Sequence, residues 1–190
     1  ERSRTEPMLD MAFFRKPRFT MSAIGVTSMF MAMFAMFFVS SQYLQYVRGY
    51  SPLRAGLSTL PFGVVMVVVA PRSALLAQRV GVRRVVSMGP LIASVGLALL
   101  STIHRTTPYA VFALFLCIAA LGMAMTMPSF TAGLLSSVPP HKAGVGSAVN
   151  DTTRELGAAI GIAVIGSVVT SVYRSHVKSA LGALPPEAAA

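Results

Sequence analysis

The sequence is poor in charge. Charged residues make up 12% of its 190 residues, about half the share found in ordinary soluble domains, which is about 25%. Six acidic residues stand against 16 Lys and Arg, which gives a formal net charge of +10. The basic residues lie in short gaps between apolar runs and do not gather on one arm or face, so the charge does not point to a nucleic acid partner.

Signatures of metal binding and catalysis are also missing from the sequence. The single cysteine, Cys117, lies in an apolar stretch, so an intrachain disulfide and a cysteine-based metal site are excluded. The histidines His104, His141 and His176 are scattered, there is no nucleophile elbow, and the GVGS segment at Gly144 lacks the lysine of a phosphate loop. We therefore expect no enzyme, no metal site and no organic cofactor.

Long apolar runs are what the sequence has in abundance. Hydrophobic residues make up 54% of the chain, and the mean hydropathy is +0.68. A membrane-spanning helix needs about 20 mostly apolar residues. The sequence therefore predicts an all-α fold, a polytopic membrane helical bundle of about five transmembrane helices, with spans near residues 19–47, 55–78, 85–103, 108–138 and 144–173. Residues 1–18 are expected to form a cytoplasmic lead-in segment, and residues 174–190 an extracytoplasmic tail or linker to a missing last helix.

The distribution of Lys and Arg predicts the orientation of these spans. With the N-terminus inside, nine basic residues fall on the cytoplasmic side and five on the other, leaving aside Arg72 and Arg154 within apparent spans. Short cytoplasmic loops are richer in Lys and Arg, so a cytoplasmic N-terminus is favoured. Arg72 is expected to reach towards the cytoplasmic headgroups, because long basic side chains follow apolar surface into water.

One loop between two spans carries a recognisable motif. Residues 74–84 read ALLAQRVGVRR, and this segment resembles the signature loop of the major facilitator superfamily, roughly G-x-L-a-D-R-x-G-x-R-R. Ala74 and Gln78 depart from the usual glycine and aspartate. Gly81 permits a tight turn between two antiparallel helices, and the arginines hold the loop in water. The residues that fit the motif are Leu76, Ala77, Arg79, Gly81, Arg83 and Arg84.

Three further stretches are similar to the fourteen-helix drug:proton antiporter branch of that superfamily: PMLDMAFFRKPRF, SSQYLQYVRGYSPLRAGLSTLP and VPPHKAGVGSAVNDTTRELGAAIG. The resemblance implies a fragment of the C-terminal half, with helices nine to thirteen of a multi-pass protein of the plasma (inner) membrane. It also implies export of amphipathic or cationic small molecules, driven by the proton gradient without a cofactor. The partners it implies are that substrate, membrane lipid and the missing N-terminal half of the same transporter.

The polar first turns of the fifth span hold the main candidate site. Asp151 and Glu155 are four residues apart and share one helix face, while Asn150 and Arg154 share a neighbouring face. Arg154 lies three residues after Asp151, a spacing that allows an ion pair between them. A charge inside a bilayer is costly and usually faces a cavity or a partner. The acids could attract a cationic substrate and exchange it for protons. Alternatively, the membrane part begins at Leu156 and the four residues mark the cytoplasmic interface.

Other residues are candidates for weaker reasons. Gln42 and Gln45, near the end of the first span, could offer neutral hydrogen bonds to a ligand, although hydrogen bonding between helices is favoured. Gly157 and Gly161 form a pair of small residues four apart, which lets a neighbouring helix approach closely.

Two alternative functions stay open at this point. One is a major facilitator carrier of another cargo, such as a metabolite, natural product or lipid, since scaffold motifs do not identify a cargo. The other is a membrane scaffold or receptor that does not transport, which the departures in the signature loop would allow.

Overall fold

The structure is a computed structural model that describes Phe13 and residues 15–182, without the side chains of residue 176 and of residues 178–182. Within these residues the fold is all-α. The helices are α1 (Pro17–Gln42), α2 (Pro52–Ser58), α3 (Leu60–Val80), α4 (Val82–Leu100), α5 (Tyr109–Leu135) and α6 (Ala143–Gly182). A π-helical turn, Tyr43–Val47, continues α1, and a 3-10 turn, Pro140–Lys142, precedes α6.

Five segments of the described chain are long and apolar enough to cross a membrane. They are Pro17–Val47, Pro52–Val80, Val82–Leu100, Tyr109–Leu135 and Pro140–Ser175. The prediction of an all-α membrane bundle with five long apolar helices is thereby confirmed.

The second span differs from its predicted form. It begins at Pro52, before the expected residue 55, because Ser51 caps the helix by accepting a hydrogen bond from the backbone N–H of Arg54 at 3.3 Å. It is then interrupted at Thr59, which separates α2 from α3. Pro61 lies in the first turn of α3, where its missing N–H costs no hydrogen bond.

The ends of other spans also differ from the predicted bounds. Helix α4 ends at Leu100, before the expected residue 103, and the hydroxyls of Ser101 and Thr102 donate to carbonyls three residues back. Helix α6 continues to Gly182, so the first part of the expected tail is helical, because no proline interrupts residues 143–182. The lead-in residues 1–12 and the tail residues 183–190 lie outside the described residues.

Helix α5 is the centre of the bundle. It packs against α3, α4 and α1, while α6 lies mainly against α1. The α4–α5 contact is close because small residues meet there: a Cβ added at Gly122 would meet the backbone of Gly89 and Ala93. Close approach of backbones through small residues is how membrane helices gain packing energy without a hydrophobic driving force.

Hydrogen bonds join the loops at one end of the bundle, which we call the Arg48 end. The Arg48 guanidinium donates to the carbonyl of Thr107 at 2.6 Å, and the Tyr43 hydroxyl donates to the carbonyl of His104 at 2.9 Å. Arg48 also donates to the Tyr50 hydroxyl oxygen, which lowers the pKa of Tyr50 from its ordinary value. The end of α1 is thereby tied to the loop between α4 and α5.

The opposite end of the bundle, which we call the Gly81 end, contains a one-residue junction between α3 and α4. Gly81 has a φ of 97°, a backbone conformation that a residue with a Cβ adopts only with strain. Its N–H donates to the carbonyl of Ala77 and closes α3, while its own carbonyl accepts from Arg84 in the first turn of α4. The reversal of the chain therefore depends on a glycine at this position.

Candidate functional site

Two carboxylates lie on the third and fourth turns of α6. Asp151 and Glu155 are both exposed, and they are the only acidic residues between Asp10 and Glu187. The Arg154 Nη1 atom lies 3.7 Å from Asp151 Oδ1, which is the ion pair that the sequence spacing allowed. Helix α6 begins at Ala143, so these residues lie well inside the helix and not in its first turn.

Two phenylalanines of α1 complete this site. The guanidinium carbon of Arg154 lies 4.6 Å from the centre of the Phe30 ring, within the range of a cation–π contact. The Phe34 ring is stacked on Phe30, with centroids 6.3 Å apart and ring planes at 25°. Together they line a pocket of about 320 Å³, which we call the Phe30 pocket, formed by Phe30, Phe34, Asp151, Arg154, Glu155 and Ala158.

The two phenylalanines flank the middle of the first span. Met33 is the central residue of the uncharged run over residues 19–47, and Phe30 and Phe34 lie on either side of it. About 20 residues suffice to cross the hydrocarbon, and the rings lie near the middle of this longer run. Both rings are therefore far from either end of the first span. The Arg154 guanidinium that covers Phe30 thus meets α1 within its apolar part and not at its charged start.

Asn150 is the buried member of the polar cluster, with 6% of its surface exposed. Its amide nitrogen lies 3.5 Å from Asp151 Oδ1, while its amide oxygen is buried without a hydrogen-bond partner in the described structure. A buried acceptor without a partner is costly and uncommon. Asn150 therefore holds an unused acceptor directly beside the ion pair.

Glycines bring α6 against α1 at this level. A Cβ added at Gly157 would meet the carbonyl oxygen of Thr27, and one added at Gly161 would meet the carbonyl oxygen of Met31. The same Cβ at Gly157 would lie 3.1 Å from the Phe30 Cβ. The close approach of the two backbones is what places Phe30 beside the charged turns of α6.

The other candidate residues lie elsewhere. Gln42 and Gln45 are 12 and 15 residues beyond Phe30 on the same chain, at least about 18 Å of helical rise away. The Gln45 amide donates to the hydroxyl of Ser41 at 2.7 Å, and this bond stays within one helix. The structure does not bring these two glutamines to the acidic cluster.

The signature-loop residues lie at the Gly81 end, on the solvent-exposed surface of the described chain. Leu76, Arg79, Gly81, Arg83 and Arg84 are all exposed. Arg83 lines a cleft of about 720 Å³ between the ends of four helices, together with Arg18 and Gln78. This cleft holds positive charge and no carboxylate among its lining residues, which distinguishes it from the Phe30 pocket.

Arg72 makes a hydrogen bond within its own helix. Its guanidinium donates to the carbonyl of Val68 at 2.5 Å, one turn back towards the start of α3 and away from the Gly81 end. This contact does not locate the side chain relative to a bilayer, so the reach of Arg72 towards the headgroups stays a prediction.

The phenylalanine pair is the part of the site that sequence reasoning missed. Phe30 and Phe34 are four residues apart, a spacing at which aromatic side chains meet on a helix. That spacing was a usable signal for the pair. The contact with Arg154, more than 120 positions along the chain, depends on the packing of α1 against α6 and could not be read from either segment alone.

Comparison with known proteins identifies the family. The profile of the Major Facilitator Superfamily matches residues 1–162. The chain is 32% identical over 172 residues to the multidrug resistance protein Stp of Mycobacterium tuberculosis, covering 90% of this chain and 32% of that protein. It is 35% identical over 186 residues to the multidrug efflux pump LfrA of Mycolicibacterium smegmatis, covering 97% of this chain and 36% of that protein.

A third relative is the tetracenomycin C resistance and export protein of Streptomyces glaucescens, 28% identical over 167 residues, with 88% of this chain and 31% of that protein covered. The chain spans about a third of the length of these curated relatives. The profile match covers most of the chain, and the five apolar helices agree with a multi-pass membrane protein. This chain belongs to the Major Facilitator Superfamily.

Proposed function

We propose that this chain forms part of a proton-coupled exporter of amphipathic or cationic small molecules. The observation that carries the proposal is the Phe30 pocket, in which two carboxylates of α6 and two aromatic rings of α1 line one cavity. Aromatic faces and carboxylates both attract cations, and they do so more strongly where water is excluded. The relatives named as multidrug efflux and resistance proteins support this choice of cargo.

The charges of the pocket make a cation and protons compete for the same site. With Asp151 and Glu155 ionised and Arg154 protonated, the three side chains carry a net charge of −1, which favours a cation. One bound proton makes the group neutral, and two make it positive. Proton uptake by the carboxylates therefore opposes cation binding, and a cation and protons compete for one site. This competition is the requirement for exchange, and it needs no cofactor and no covalent chemistry.

The same proposal includes the orientation and the location. The Gly81 end, with Arg18, Arg79, Arg83 and Arg84, carries more basic residues than the Arg48 end and is placed in the cytoplasm by the positive-inside rule. The protein is then a multi-pass protein of the plasma (inner) membrane. A single carrier activity without catalysis accounts for all features of the site.

The remaining wall of the transport pathway belongs to other parts of the protein. Transporters of this kind alternate access by moving one helical bundle against another around a site near mid-membrane. The Phe30 pocket is open on one side, and we propose that the N-terminal half of the same transporter covers it. Membrane lipid surrounds the outer faces, and no nucleic acid takes part.

The proposal is tested in cells that depend on the full-length transporter for resistance to a cationic dye. Replacing Asp151 by Asn and Glu155 by Gln should abolish dye efflux while the protein still reaches the membrane in normal amounts. Thr152→Val, on the exposed surface of the same turn, is the matched control and should export normally. Full resistance of the doubly neutralised variant at equal expression would rule the proposal out.

A further inference from the structure

The aromatic surface of the Phe30 pocket is already covered by a cation of the chain itself. The Arg154 guanidinium lies over the Phe30 ring at 4.6 Å and beside Asp151 at 3.7 Å. The Arg154 and Asp151 side chains are 48% and 63% exposed, so neither is fixed in a packed core. Arg154 therefore occupies a cation position that it is free to leave.

The pocket offers more than Arg154 uses. The Phe34 ring extends the aromatic surface beside Phe30, and Glu155 lines the pocket without an ion pair in the described part of the chain. A guanidinium is small and covers one ring only. An aryl-substituted cation would cover both rings and approach the second carboxylate.

We propose that Arg154 is a tethered competitor for the cargo, and that a lipophilic aromatic cation binds by displacing its guanidinium from Phe30. This inference rests on the proposed function and names the class of substrate within it. In the loaded site the cargo cation contacts both rings and pairs with Glu155, while Arg154 stays with Asp151 three residues away. Two cations then balance two carboxylates, and no charge is left uncompensated.

Asn150 supplies a second acceptor for the displaced arginine. It precedes Arg154 by four residues, a spacing that places both on one helix face. Its amide oxygen is buried and without a partner while Arg154 covers Phe30. A guanidinium has five N–H donors, so Arg154 can keep Asp151 and add the Asn150 oxygen. The unsatisfied acceptor of the present state would be satisfied in the loaded one.

The test is equilibrium binding of tetraphenylphosphonium to the purified full-length transporter. Arg154→Gln removes the competitor and should tighten binding about fivefold, the size of a typical cation–π contact. In the Arg154→Gln background, Phe30→Leu should weaken binding by about the same factor, because the cargo then loses its contact with the ring and no competitor loses one. In the Phe30→Leu background, Arg154→Gln should tighten binding less than it does with Phe30 present, because the contact for which the two cations compete is gone and only the loss of a positive charge still favours the cargo. Arg174→Gln, an exposed arginine later in α6, should bind like the parent.

Unchanged or weaker binding by Arg154→Gln overturns the inference. If that variant does not fold, Phe34→Leu decides, because Arg154 covers Phe30 and leaves the Phe34 ring to the cargo. Unchanged binding by Phe34→Leu would show that the pair of rings is not the cation site and would overturn the inference. Failure of this inference can be distinguished from failure of the proposed function. Acid-dependent export together with unaltered binding by Arg154→Gln would leave the exporter in place and remove only the competitor.

Discussion

Replacing Gly157 by Ala should destabilise the contact between α1 and α6 that forms the Phe30 pocket. The new Cβ would meet the carbonyl oxygen of Thr27, and backbone cannot rotate away as a side chain can. Overpacking costs about 1–3 kcal/mol, and Gly→Ala in a helix returns about 1 kcal/mol through propensity. Since the clash is with backbone, we expect the upper part of that range and a net loss of about 1–2 kcal/mol.

The assay is SDS-induced unfolding of the full-length transporter in mixed micelles, which yields the free energy of unfolding of each variant. Two glycines of the same helix are matched controls. A Cβ at Gly144 meets nothing within 4 Å, and one at Gly166 lies 3.7 Å from the Phe38 ring, an ordinary contact. Both should gain stability as alanine. If Gly157→Ala raises the free energy of unfolding as much as Gly144→Ala does, the backbones of α1 and α6 do not approach each other as closely as described.

Two further predictions concern the ends of the bundle. Gly81→Ala places a Cβ at a φ of 97° and should cost about 1–2 kcal/mol in the same titration; an unchanged free energy would refute the requirement for glycine. Arg48→Gln removes the hydrogen bond to the Thr107 carbonyl and should speed tryptic cleavage after Arg105 several-fold, whereas Arg54→Gln should not. Equal cleavage rates for both variants would show that Arg48 does not hold the loop.

The number of spans and their helical structure could be predicted because the bilayer imposes a length of about 20 apolar residues on every span. The ends of the helices were harder, because local hydrogen bonds decide them. Thr59 interrupts the second span within an uncharged run, and nothing in its hydropathy marks that position. Helix α6 continues beyond residue 173 because polar residues without a proline can extend a helix past the membrane.

The site could be predicted only in part. The spacing of Asp151 and Arg154 gave an allowed ion pair, which the structure contains. The rings of Phe30 and Phe34 were not included, because a contact between α1 and α6 depends on tertiary packing. Local spacing indicates which residues share a helix face, but not what that face meets.

The most direct measurement is transport by the full-length protein in proteoliposomes with an imposed pH gradient. We expect the unmodified transporter to move tetraphenylphosphonium in the direction opposite to the proton flow. We also expect that a variant carrying both Asp151→Asn and Glu155→Gln falls to the rate of protein-free liposomes while remaining folded. Gradient-driven transport at the parental rate by that variant would contradict the claim that these two carboxylates couple protons to the cation.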